Sequence, residues 1–249
     1  MFKSDTQAVS VTHGNTLIIG ASSQIGQALI AHVMAKHPLS PIVTVSRSSL
    51  ALPDSVTQLL CDYSPQGIEQ VGAALNALTG HIRRVVICHG ILHTDTIKPE
   101  KRLEDLELNN MMEIFRVNAL LPALWLKLLA PVLKGTQTCC VAVLSARVGS
   151  ISDNRAGGWY SYRASKAALN MLLQCSAIEM ARRAKNVKLI AFHPGTVDTP
   201  LSAPFQANVP AGKLFTPAFV AERLLGILDE ATPDGTASYL DYAGETIAW

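Results

Sequence analysis

The stretch "TLIIGASSQIGQALIAHVMAKH", residues 16–37, turns from a β-branched apolar run into a helical pattern within a few residues of its first glycine. A strand over 16–20 followed directly by a helix near 24–37 is the opening of a βα unit. Gly20 and Gly26 bracket the turn, with Ser22, Ser23, Gln24 and Ile25 between them. Free N–H groups and the positive dipole end at such a helix start form an anion site of the kind that takes a pyrophosphate. The serines add hydroxyl donors or cap the helix. Taken alone, a purely structural strand-turn-helix explains the pattern equally well.

Outward from this unit the same alternation continues. Strands are expected at 16–20, 42–46, 56–61, 84–88, 138–145, 187–193 and 237–241, with helices near 24–37, 65–79, 103–130, 160–184 and 217–229. Several strands are apolar almost throughout, as when both faces of a sheet are covered. The expected fold is therefore α/β: one Rossmann-type domain over 15–249, with a doubly wound parallel sheet of about seven strands flanked by helices. Residues 1–14 read as a poorly tied, flexible leader. Residues 193–217, dense in Pro, Gly and small polar side chains, read as a long functional loop, with a plain surface excursion as the other explanation.

The chain has 249 residues, 49% of them hydrophobic and 16% charged, enough for one large core. A formal net charge of +2 offers no polyelectrolyte patch, which argues against a nucleic-acid partner. The five cysteines have no C-x-x-C spacing and sit mostly in apolar runs, so they read as reduced core thiols of a cytoplasmic protein. No segment reaches about 18 uninterrupted apolar residues, so no membrane span is expected.

A second stretch, "WYSYRASKAALNML" at 159–172, places two tyrosines before Lys166. At about 100° per residue, Tyr162 shares a helix face with Lys166, four residues on, whereas Tyr160 points elsewhere. A nearby ammonium favours the phenolate and lowers the phenol's pKa, which suits proton exchange near neutral pH. An exposed i,i+4 pair is the bland alternative.

Together with these two stretches, "CHG" at 88–90, "VNALLP" at 117–122, the serine-bearing fifth strand and "HPGTVDT" at 193–199 resemble the short-chain dehydrogenase/reductase family over nearly the full length. The order and spacing are more specific than any single match. Within the family, the resemblance is greatest to the C-factor / carbonyl reductase-like branch. It implies Tyr162 as general acid/base and Lys166 as the residue that tunes it and holds the nicotinamide ribose. It also implies Asn118 in a proton relay, although a buried amide satisfying local backbone is the structural alternative. The cofactor-binding residues it implies are Gly20, Ser22, Ser23, Gln24, Ile25, Gly26, Arg47, Asp62, His89, Gly90, Tyr162, Lys166, Pro194, Gly195, Val197 and Thr199. Asp62 would meet adenine or cap the next helix. At the end of the second strand, Ser46 stands where an NAD-preferring enzyme carries an acid, and Arg47 follows. A guanidinium flanked by hydroxyls suits a 2′-phosphate, so NADP(H) is expected over NAD(H).

Three positions depart from the family pattern. Gln24 replaces the middle glycine of the turn, His89 occupies a small-residue position, and the serine pair ending the fifth strand is Ser145 and Ala146. Ser145 is expected to bind the substrate oxygen if the strand end is bent; otherwise Ser150 reaches in, or no serine does. Trp159, Leu201, Phe205 and Leu214 lie on or near loops that would surround an apolar substrate. The expected activity is NADP(H)-dependent interconversion of a small carbonyl compound and its alcohol, in a homodimer or homotetramer. The alternative is a weakly active or non-catalytic nucleotide-binding signalling protein, favoured by Gln24 and Ala146.

Overall fold

Strict alternation along the strands decides which helices cover which face of the sheet. The structure, a computed structural model, describes residues 14–78 and 80–249. Residues 1–13 of the expected leader and residue 79 at the end of an expected helix lie outside the described residues. Seven strands, β1 (Asn15–Ile19), β2 (Ile42–Ser46), β3 (Val56–Leu60), β4 (Ile82–Ile87), β5 (Cys139–Leu144), β6 (Val187–His193) and β9 (Ala237–Asp241), form one parallel sheet in the order β3-β2-β1-β4-β5-β6-β9. Leu17, Ile19, Val85, Ile87, Val141, Val143, Leu189 and Ala191 pack against α2 (Pro65–Asn76), α4 (Leu121–Leu133) and α5 (Tyr160–Arg183). The intervening Ile18, Val86, Ala142, Leu144, Ile190 and Phe192 pack against α1 (Gln24–Lys36) and α6 (Pro217–Glu230). Each fully buried Leu or Ile contributes about 1.5–3 kcal/mol. The near-continuous apolar runs follow from this two-sided burial.

Local chemistry starts the helices where the chain must leave the sheet. Ser23 accepts from Gly26 N–H at 3.0 Å to cap α1, Ser64 accepts from Gly67 N–H at 3.0 Å to cap α2, and Thr216 accepts from Phe219 N–H at 3.2 Å to cap α6. The strand order reverses direction of progress between β1 and β4, and ligands of such sheets bind in the crevice beyond that point.

Two expected regions differ in detail. The helix expected over 103–130 is instead a 3₁₀ turn (Leu103–Asp105), α3 (Leu108–Phe115), a π-helical turn (Arg116–Leu120) and α4. By length and composition alone, Leu108–Leu133 would cross a membrane. Its Leu121, Trp125, Leu126, Leu129 and Leu133 are buried in the core beside the sheet, which accounts for its apolar character. The expected loop 193–217 contains two short parallel strands, β7 (Thr196–Val197) and β8 (Leu214–Phe215), and a 3₁₀ helix (Ala203–Asn208).

Candidate active site

The C-terminal ends of β1, β4, β5 and β6 open into a cavity of about 480 Å³, a size typical of small-molecule sites. Residues 22–25 at the start of α1 line one side, so Ser22, Ser23, Gln24 and Ile25 lie together as expected. Gly20 has φ +79°, and a Cβ there would come 3.3 Å from Cys88. At Gly26 a Cβ would sit 2.9 Å from Ala21, so only glycine lets α1 lie this close to the turn.

The opposite wall carries Tyr162 and Lys166. Lys166 is 2% exposed and its Nζ donates to Leu144 O at 2.7 Å, 5.8 Å from the centre of the Tyr162 ring. A Cβ on residue 90 would approach Lys166 Nζ to 3.3 Å and Asn118 Oδ1 to 3.8 Å; Gly90 is the gap through which the lysine reaches the cleft. Burial pushes the Lys166 amine down to about 7. Burial also pushes the Tyr162 phenol upward, and nearby Tyr239 adds to the rise. Desolvation, rather than the expected influence of the lysine, therefore sets the direction of the phenol's shift.

Asn118 is fully buried in the π-helical turn. Its Oδ1 accepts from Ile91 N–H at 2.7 Å, and its Nδ2 donates to Ile91 O at 2.9 Å and Ser165 Oγ at 3.0 Å. The amide thus ties the segment leaving β4 to α5, the structural arrangement weighed beside the relay role.

Ser145, at the end of β5, lines the cavity. Ser145 N–H donates to Phe192 O at 2.8 Å, so the ladder continues unbroken to this residue and no bulge turns its side chain. Its hydroxyl donates instead to Asn170 Oδ1 on α5 at 2.7 Å. The side chain that packs beside Tyr162 and Leu92 is the methyl of Ala146. Ser150 does not line the cavity; its hydroxyl accepts from Asp153 N–H at 3.1 Å within a turn.

His89 does reach the cavity and is also a packed residue. Its Nε2 accepts from Trp125 Nε1–H at 2.9 Å, and its ring meets Tyr63 edge-on at 4.6 Å. That bond leaves the proton of the neutral ring on Nδ1. Burial lowers its pKa to about 4, with the Lys166, Arg47 and Arg116 cations acting in the same direction.

Arg47 and Asp62 border a shallower recess of about 360 Å³ beside the start of α2. Asp62 Oδ1 accepts from Ser64 N–H at 2.9 Å and Ser64 Oγ–H at 2.7 Å, and these bonds hold its carboxyl below the ordinary value. It supports the residue that caps α2. Beyond β6, Pro194, Gly195, Val197 and Thr199 line the main cavity. Gly195 has φ +75°, and a Cβ there would meet the Phe215 ring at 2.7 Å. Leu201 and Phe205 join Trp159 around the cavity, whereas Leu214 pairs with Thr196 on β8 and is 40% exposed, outside the lining.

Reading the sequence assigned no role to His193, Leu92 or Glu100. His193 lines the cavity and its buried Nδ1 has no partner among the described residues. Burial and the Arg147 cation lower its pKa to about 4. Glu100 is 6% exposed and meets the first turn of α5. A charged residue in a loop before a helical pattern gives no sequence signal of such burial.

The cavity's donor set suits a nicotinamide dinucleotide. Hydroxyls and a helix start face one end, a lysine amine and a glycine gap the middle, and an arginine stands beside the second strand. Residues 15–210 match the short chain dehydrogenase family. The C-signal protein of Myxococcus xanthus is 32% identical over 147 residues, covering 59% of this chain and 83% of that protein. A benzil reductase ((S)-benzoin forming) of Bacillus cereus is 26% identical over 252 residues, covering 90% and 98%. A short-chain dehydrogenase/reductase structure from Burkholderia multivorans with bound NADP superposes with a TM-score of 0.79 at 22% identity, covering 95% of this chain and all of that one. With its parallel sheet, glycine turn and Tyr162–Lys166 face in place, the chain belongs to the short-chain dehydrogenase family and is an oxidoreductase of it.

Proposed function

We propose that the chain reduces a small apolar carbonyl compound with NADPH. The observation that carries this reading is the placement of Tyr162 and Lys166, both buried and on one face of α5, at the wall of a largely apolar cavity. NADPH, when bound, would supply the hydride for the carbonyl carbon. Tyr162 Oη gives its proton to the carbonyl oxygen, and burial keeps the phenol in the protonated form this direction requires. Lys166 stands near the ring with an amine poised around neutrality and is the nearest store for replacing that proton. Asn118, through Ile91 and Ser165, fixes the cavity edge against α5. Arg47, beside Ser46 and Ser48 at the end of β2, would hold the 2′-phosphate.

Tyr162→Phe is the test. Turnover with a carbonyl panel falls by at least about 10², while NADPH binding measured by fluorescence persists. Undiminished turnover would remove Tyr162 from the chemistry.

A second reading has its own support: Ala146 presents a methyl where the family places a hydroxyl, and Ser145 is committed to Asn170. A missing oxygen donor costs on the order of 10²–10³ in rate. Tight NADPH binding with no turnover of any carbonyl would favour a nucleotide-binding signalling protein of the C-factor kind.

A further inference from the structure

The approach to α5 contains three consecutive residues in the left-handed region: Gly157 at φ +62°, Gly158 at φ +62° and Trp159 at φ +50°. Two glycines adopt this conformation freely, but a large side chain does not. Strain of this kind persists where the surroundings enforce it. Here Glu100 enforces it. Its main-chain carbonyl accepts from Trp159 N–H at 2.5 Å, and its carboxylate accepts from Ser161 N–H at 3.2 Å and from the Ser161 hydroxyl. Arg163 Nε adds a bond to Gly158 O at 3.0 Å. Glu100 thus clamps both the strained residue and the helix turn that follows it.

The clamp aims the indole into the cavity. Trp159 meets Tyr162 edge-on at 6.2 Å and Phe205 edge-on at 5.0 Å. His93 also meets Phe205, at 5.8 Å, and is itself fixed by a contact of 3.2 Å between Nε2 and Leu201 O. Leu92 and the Ala146 methyl complete an apolar wall around Tyr162. Among the described residues, no Asp or Glu lines the cavity. Edge-on rings favour another ring over a saturated group of equal size, because ring faces and edges carry opposite partial charge.

Building on the carbonyl-reductase reading, we propose that Trp159 and Phe205, packed edge to face, form the aromatic wall of a slot for a planar aryl group carried next to the reacting carbonyl, with Trp159 a specificity-determining residue and Glu100 its positioning residue. The missing hydroxyl at position 146 then serves the slot by keeping its wall apolar.

Acetophenone and cyclohexyl methyl ketone, which share a carbon skeleton, separate planarity from size. In the wild-type chain with NADPH, acetophenone is expected to have at least a tenfold higher kcat/KM, arising in KM rather than kcat. Trp159→Ala brings the two ketones within about twofold of each other, and Glu100→Ala does the same. Glu100→Gln, whose amide oxygen still accepts from Ser161 N–H, restores most of the preference. Saturation-transfer NMR of acetophenone on the protein with NADP⁺ reads the slot without turnover, with a signal in the wild type that is lost in Trp159→Ala. If neither ketone is reduced but that binding signal behaves so, the slot stands and the reductase reading fails. Equal kcat/KM for both ketones in the wild type, or acetophenone binding that survives Trp159→Ala, overturns the slot whatever the variants' stability.

Discussion

Lys166 and Tyr162 occupy a place that water barely reaches, and both are driven toward their neutral forms. Lys166 falls from its ordinary 10.5 to about 7. Between these values the unfolded chain binds a proton that the folded chain releases, so stability increases with pH from about 7 to 10.5 and is lost again as pH falls through that window. Urea unfolding of the wild type and of Lys166→Met is expected to show a difference that moves in favour of the wild type as pH rises from 7 to 10. A difference independent of pH would mean that the amine keeps its ordinary pKa. The pairing of these two side chains was legible from a spacing of four in a helical run. Which influence governs their ionisation was not, because desolvation depends on what the distant segments 90–92 and 144–146 place around them. The same holds for Ser145: its strand was readable, but Asn170, 25 residues away, takes its hydroxyl.

Elements were recovered from the sequence where a period of 2 or 3.6 ran long enough to be counted. Six of the seven sheet strands begin and end within a residue of the expected bounds, and β4 starts two residues early. The strands β7 and β8, two residues each, are too short for any periodicity and exist only because the cavity-flanking loop folds back on itself. The π-helical turn at Arg116–Leu120 was also invisible, since the apolar pattern continues across it; the bonds from Asn118 to Ile91 locate it. At the opposite end of the sheet from the cavity, Arg84 on β4 is 3% exposed and its Nε donates to Asp229 on α6 at 2.7 Å. Removing one member of a buried pair leaves an uncompensated charge, at a cost of about 3–5 kcal/mol. With Asp229 partly exposed, Asp229→Ala is expected near the lower figure in urea denaturation. Replacing Arg84 by Met in the same chain should recover part of that loss, whereas no recovery would show that Asp229 acts through Arg83 or His37 instead.

For the whole molecule, ligand binding and folding are linked, because the residues that line the cavity come from both halves of the sheet. At a hundredfold excess over Kd, a ligand of the native state adds about 2.7 kcal/mol, or roughly 5–10 °C for a chain of this size. NADPH at such a concentration is expected to raise Tm by that amount, NADH at the same concentration by clearly less, and Arg47→Ala to close the gap. Equal shifts in the wild type would remove Arg47 from cofactor choice. The domain architecture was legible because two-sided burial leaves apolar runs that nothing else in a compact chain requires. That burial also sorts the thiols. Cys139 and Cys140 are neighbours in the chain yet lie on opposite faces of the sheet, in separate cores. Cys61 and Cys88 are enclosed as well, and Cys175 alone meets solvent. Adjacent cysteines here cannot find each other, and Cys139 and Cys140 become reactive only when the layers part, whereas Cys88 borders the main cavity and Cys61 the recess beside α2. The chain thereby carries a chemical clock for its own opening, with Cys175 keeping time in the native state and the adjacent pair Cys139 and Cys140 marking the moment the sheet is uncovered.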